Sequence, residues 1–287
     1  MARGGGKGSG SGKSGGKSGG KPGGKSGGKS GGLTGSLGGA RHTTVRVKTA
    51  RRRKNSSTRW LERQLNDPYV VEARARGFRS RAAFKLLDID DRYKFLKPGM
   101  AVVDLGCAPG GWTQIAVERV KAGKDGGGKV VGVDLLEAEQ VAGATIFQAD
   151  FMDDDTPDRL KALLDGPADA VLSDMAANTT GHPQTDHIRI IALAETALDF
   201  AFQVLAPGGA FVAKVFSGGA EASLLDQLKR NFQKVAHFKP PSSRKESAET
   251  YVIAIGFKGK APEGKASGPQ SSEQSAWDER ENTDDES

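Results

Sequence analysis

Four aspartates stand at the same place in four short apolar runs: Asp104 in "VVDLG", Asp134 in "VVGVD", Asp150 in "IFQAD" and Asp174 in "AVLSD". A single acid at a strand end is usually the N-cap of the next helix. Four in series, the first followed by the turn "GCAPGG" at 106–111, place carboxylates along one sheet edge and point to a ligand there. The glycines let backbone approach that ligand closely. The turn does not spell G-x-G-x-x-G, and Pro109 lacks an N–H that a phosphate cradle would use. Carboxylates also repel phosphate. The residues therefore suit a nucleoside without phosphate that carries positive charge, and S-adenosylmethionine meets both demands. Asp134 would accept from the ribose hydroxyls. Asp150 would bond near the adenine, and Asp174 near the amino group and sulfonium. A nicotinamide dinucleotide would require the full glycine fingerprint. Lys214 is a second marked position. It lies in "GAFVAKVFS" among apolar residues, where a lysine needs a partner, and Asp174 ends a neighbouring strand.

The elements that must position these residues alternate. Apolar and β-branched runs predict strands over 100–105, 129–134, 145–149, 169–173, 210–216, 234–238 and 250–257. Helical periodicity covers 112–121, 156–164, 187–205 and 221–231, and Pro207-Gly208-Gly209 reads as a stop after the long helix. Residues 60–97 read as helical and basic. The alternation predicts an α/β fold with a mostly parallel sheet covered on both faces. The absence of a helical run after 231 predicts a final antiparallel hairpin over 234–257. Ligands in such sheets sit beyond the carboxyl ends of the strands.

Charge is segregated along the 287 residues, which carry +7 in all. Residues 1–59 hold 15 Lys and Arg and no acid, whereas 261–287 hold 8 acids against 2 bases. The basic character thus lies in the N-terminal segment. Lysines 13, 17, 21, 25 and 29 recur every four residues among Gly and Ser, with no apolar face to bury. The expected organisation is a disordered basic tail over 1–55, one domain over 56–260, and a disordered acidic tail over 261–287. The basic tail is either a solvated polycation or an attachment to RNA phosphates. The single cysteine, Cys107, excludes an intramolecular disulfide and a cysteine-based zinc site. His182 and His187 lack further ligands nearby, so no metal is expected. Nothing approaches the ~20 apolar residues of a membrane span. A cytoplasmic monomer without membrane attachment is the expectation.

The motifs together resemble the bacterial FtsJ/RrmJ (RlmE) methyltransferases, a family that methylates a ribose 2′-hydroxyl in large-subunit ribosomal RNA. The resemblance runs from "SSTRWLERQLNDPYV" at 56–70 through "GFRSRAAFKLLDID", "PGMAVVDLGCAPGGW", "LSDMAAN" and "LAPGGAFVAKVF" to "ETYVIAIGFK" at 249–258. Ala177 departs from it, where the family carries Pro, and so does Cys107, where Ala is common. Neither departure removes a functional group. The resemblance implies the Rossmann-like class I S-adenosylmethionine-dependent methyltransferase fold. It carries a Lys-Asp-Lys-Glu tetrad onto Lys85, Asp174, Lys214 and Glu249, and cofactor-binding positions onto Gly110, Trp112, Asp134, Asp150 and Asp174. The implied acceptor is a uridine ribose in 23S rRNA of the 50S subunit, in support of ribosome assembly.

Under that resemblance Lys214 takes the proton of the hydroxyl, since a ribose hydroxyl needs a base to become a nucleophile. Asp174 and Glu249 would hold the resulting ammonium, and Lys85 would add positive field. RNA contact is expected from Arg59, Arg63, Arg74, Arg76, Arg79 and Arg81 in the basic helical segment and from Arg244 beside Glu249. A transfer RNA anticodon loop is the alternative acceptor that the sequence leaves open.

Overall fold

The computed structural model describes residues 55–177, 180–216 and 222–259. The expectations for 1–54 and 260–287 lie outside the described residues. The basic segment forms three helices, α1 (Asn55–Leu65), α2 (Pro68–Ala75) and α3 (Ala82–Tyr93). Asp67 caps α2, accepting the Tyr69 N–H at 3.0 Å, and Pro68 starts that helix without an N–H to satisfy. In α3, Ala83, Leu86, Ile89 and Asp90 are buried, the three-and-four spacing of an inward helical face. The chain leaves α3 at Lys94 in the left-handed conformation, φ 52°.

Seven strands follow: β1 (Ala101–Leu105), β2 (Lys129–Asp134), β3 (Ala144–Gln148), β4 (Ala168–Ser173), β5 (Leu205–Phe216), β6 (Phe232–Phe238) and β7 (Glu249–Phe257). Between them lie α4 (Gly111–Val120), α5 (Thr156–Leu164), α6 (Pro183–Val204) and α7 (Ala222–Asn231). The sheet order is β3-β2-β1-β4-β5-β7-β6. Pairings from β3 to β5 are parallel, and β7 runs antiparallel to both neighbours. The anticipated hairpin is present, with its second strand inserted between β5 and β6. The long helix stops at Val204, and Pro207-Gly208-Gly209 falls within the first residues of β5. There the pairing to β4 shifts register between Ala168 and Ala170.

One sheet face packs on α5, α6 and α7 through residues such as Leu160, Leu198 and Leu228. The other packs on α3 and α4 through Leu86, Ile89, Trp112 and Ile115. Strand order reverses between β1 and β4, which opens a crevice at their carboxyl ends. No described helix is long and apolar enough to cross a membrane. Among the described residues no group of three His, Cys, Asp or Glu is placed to hold a metal.

Candidate active site

Because β1 to β4 are parallel, their carboxyl ends share one edge, and the four acids gather there. Asp134 is the last residue of β2. Its Oδ2 accepts the Ala108 N–H at 2.9 Å and its Oδ1 the Leu136 N–H at 2.8 Å. Asp150, two residues beyond β3, accepts the Met152 N–H at 2.9 Å. Each carboxylate keeps lone pairs for a ligand. Asp104, the penultimate residue of β1, lies beneath the edge and is fully buried. Its Oδ2 accepts the Thr113 hydroxyl at 2.6 Å, whereas its Oδ1 has no partner among the described residues. Burial, reinforced by the charges of Asp174 and Asp134 and opposed by Thr113, pushes its pKa up to about 7.

The turn between β1 and α4 folds over these acids. Gly106 takes φ 78°, and a Cβ there would lie 2.9 Å from the Met175 backbone, so glycine lets the turn sit against the segment leaving β4. Gly110 is the N-cap of α4, and no side chain caps the helix. Trp112 is a core residue: its indole N–H donates to the Ala82 carbonyl at 2.9 Å, and its ring lies 5.5 Å from Tyr251. Trp112 lies in the first turn of α4, where backbone N–H groups have no intrahelical acceptor.

The tetrad assembles on the opposite side of Asp174. Lys214 on β5 is 8 % exposed, and its Nζ donates to the Asp174 carbonyl at 2.6 Å and to Asp174 Oδ1 at 2.9 Å. Antiparallel register sets Lys214 opposite Tyr251 on β7, and the Tyr251 hydroxyl donates to the same Oδ1 at 2.9 Å. Burial raises the Asp174 pKa, but Lys214, Lys85 and the two hydrogen bonds outweigh it, and the carboxyl sits below its ordinary value. Burial and the nearby carboxylates raise the Tyr251 phenol well above its ordinary value, which keeps it a donor. Lys85, on α3, reaches both oxygens of Glu249 at 2.8 Å and lies 5.8 Å from the centre of the Tyr251 ring. Glu249 therefore holds Lys85, where the resemblance had it helping to hold Lys214. Ser243 donates to Glu249 Oε1 at 3.0 Å. Tyr251 was not anticipated. The signal for Tyr251 was present, because residues 249 and 251 of one strand share a face.

The seven arginines divide. Arg59 lies on α1. Arg63 on α1 and Arg74 on α2 are exposed, as is Arg76, which pairs with Glu72 at 2.7 Å. Arg81 pairs with Asp67 at 2.6 Å and donates to the Ser242 carbonyl. Arg244 pairs with the same Asp67 oxygen at 3.2 Å. Arg79 donates to backbone carbonyls beside the glycine turn.

A family model described as FtsJ-like methyltransferase matches residues 78–257. The chain belongs to that family. It is accordingly a methyltransferase, and its methyl donor is S-adenosylmethionine. The residues at the edge fit that donor. Acceptors from Asp134, Asp150 and Asp174, an unpartnered carboxylate oxygen on Asp104 and an uncapped helix start suit a cationic amino acid joined to a nucleoside. A protein of Paramagnetospirillum magneticum named ribosomal RNA large subunit methyltransferase E is 67 % identical over 223 residues, 77 % of this chain and 91 % of that one. One of the same name from Parvibaculum lavamentivorans is 63 % identical over 230 residues, 78 % and 91 % of the two chains. The crystal structure of a ribosomal RNA methyltransferase from Plasmodium falciparum is 30 % identical with a TM-score of 0.55, covering 64 % of this chain and all of that one.

Asp104 makes a pH prediction. Its folded pKa, about 7, lies above the unfolded value of 3.8, so its stabilising contribution is complete below about pH 4 and lost as pH rises through about 7. Asp104→Asn removes that dependence. Between pH 4 and 7.5 the variant should therefore gain thermal stability relative to the wild type. Parallel melting-temperature curves for the two proteins would refute the assignment.

Proposed function

We propose that this chain methylates the 2′-hydroxyl of a uridine ribose in 23S rRNA of the 50S subunit, acting as a cytoplasmic monomer. The observation that carries the proposal is Lys214, a buried amine whose hydrogen bonds among the described residues both go to Asp174 and leave a third position on the nitrogen. Lys214 rests as the ammonium of an ion pair with Asp174, so to act as base it first releases one proton to solvent; the resulting neutral amine has two N–H groups and one lone pair. With both N–H groups on Asp174, at 2.6 and 2.9 Å, the lone pair is what remains for a hydroxyl proton. As the hydroxyl O–H breaks, the proton passes to Nζ and the new ammonium stays beside Asp174. S-adenosylmethionine held at this edge by Asp134 and Asp150 would supply an electrophilic methyl on its sulfonium, so that the C–O bond formed at the ribose oxygen would be balanced by the S–C bond broken. Lys85, steadied by Glu249, adds positive field beside the developing oxyanion. Alignment of acceptor and donor supplies much of the rate. Asp134 and Asp150 hold the ribose and adenine of the donor, and the exposed arginines of α1 and α2 meet RNA phosphates. The names of the relatives support the choice of ribosomal RNA.

Mass spectrometry of nucleosides and fragments from ribosomal and transfer RNA of a deletion strain tests this reading. The expected result is loss of one ribose-methylated uridine from 23S rRNA with transfer RNA unchanged. Loss confined to a transfer RNA anticodon loop would overturn the substrate assignment.

A further inference from the structure

Charge alone groups Arg79 with residues that contact RNA. Its contacts lie elsewhere. Nη1 donates to the Pro109 carbonyl at 3.3 Å and to the Glu139 carbonyl, and Nη2 donates to the Gln140 carbonyl at 2.7 Å. Pro109 belongs to the glycine turn. Glu139 and Gln140 belong to the 135–143 loop that leaves Asp134. The backbone of Arg79 is fixed as well, since its N–H donates to Gln114 Oε1 at 2.9 Å, and Gln114 donates back to the Gly77 carbonyl at 3.0 Å. Gly110 completes the fit: it takes φ 109°, and a Cβ there would lie 2.8 Å from Arg79 Nη1.

Resting on the reading that S-adenosylmethionine binds at this edge, we propose that Arg79 is a positioning residue for the donor. Its guanidinium clasps the glycine turn to the 135–143 loop and fixes the two walls on either side of Asp134. Asp134 itself holds the turn through Ala108, one residue before Pro109. The turn is thus tied at consecutive residues, on one side by a cofactor-binding carboxylate and on the other by Arg79. The 135–143 loop is anchored in its turn at β3, where Gln140 exchanges hydrogen bonds with the Ile146 backbone at 2.7 and 3.3 Å. A planar fork suits carbonyls on two separate loops, and a lysine ammonium does not reproduce it. Arg79 also begins the stretch that carries Arg81 and Lys85, so one short segment reaches both the donor wall and the acceptor side.

The test is calorimetric titration of S-adenosylmethionine into the full chain as wild type, Arg79→Lys and Arg79→Gln, with salt titrations of ribosomal RNA binding beside it. Both variants should raise the donor Kd about tenfold or more, including the one that keeps the charge. Rates at saturating donor should stay within about threefold of wild type, and the salt slope of RNA binding should not change. The inference falls if Arg79→Lys binds the donor like wild type. It falls equally if Arg79→Gln leaves the donor Kd unchanged while lowering the RNA salt slope by about one, the mark of a lost phosphate contact. A wild type that binds no S-adenosylmethionine would overturn the cofactor site itself, a result distinct from either. A melting curve for each variant separates loss of the clasp from loss of the fold.

Discussion

Lys214→Ala is expected to lower single-turnover methyl transfer by about 10³-fold at saturating RNA and S-adenosylmethionine, while the donor Kd stays within about threefold. General-base catalysis contributes roughly 10²–10⁴-fold, and no other described group occupies the Nζ position to replace it. The donor Kd is spared because Asp134, Asp150 and the glycine turn make no contact through Lys214. Alanine also leaves a cavity and takes the counter-charge from the half-buried Asp174 carboxylate, which keeps only the Tyr251 hydroxyl, so a fall in activity could come from misfolding. Lys214→Met controls for this: it fills nearly the same volume without an amine. It should fold, bind donor and show the same loss of rate. Near-normal turnover by either variant would sink the base assignment.

Lys214 and Asp174 could be joined from the sequence because a covered sheet leaves a mid-strand lysine no solvent. The carboxylate ending the adjacent strand is then the counter-charge within reach. The strands and most helix limits were legible for a related reason, as apolar runs and glycine turns are local. Lys85 and Glu249 were not legible from the residues. They lie 164 positions apart on a helix and a strand, and only the packing of α3 across the sheet brings them together. Register explains why Glu249 serves Lys85: it pairs opposite Phe216, two residues past Lys214, and lies beyond the Asp174 bonds. The arginines show the limit of counting charge. Arg74 and Arg81 look alike in sequence, yet one is exposed and the other is bound to Asp67 and the Ser242 carbonyl. Asp67 caps α2 and also binds Arg244, which comes from the far end of the domain, so that second role is not local in sequence. Asp104 reads as one more edge acid, but a single step back along β1 takes it out of water.

Asp174→Ala should cost both activity and stability, which separates it from Lys214→Ala. One oxygen, Oδ1, accepts from Lys214 Nζ and from the Tyr251 hydroxyl, both at 2.9 Å. Removing the carboxylate leaves a buried amine with the main-chain carbonyl alone and a buried phenol without its acceptor. Breaking a buried pair by deleting one partner costs roughly 3–5 kcal/mol. For a domain of this size about 2–4 °C accompanies each kcal/mol, so the melting temperature should fall by about 6–20 °C. Activity should be lost with it, and donor binding weakened, because on the proposed reading the carboxylate serves both the base and the donor. Asp174→Asn keeps an acceptor oxygen for Tyr251 and should melt higher than the alanine variant while remaining inactive. The pH dependence identifies the charge as the cause. The folded pKa of Asp174 is depressed, so its contribution is complete above the unfolded value of 3.8 and is lost as pH falls through the folded pKa. The stability advantage of wild type over Asp174→Asn should therefore hold at neutral pH and shrink on acidification below about pH 4. A wild-type advantage that is flat with pH, or an alanine variant melting with the wild type, would mean that Asp174 does not hold Lys214 as an ion pair.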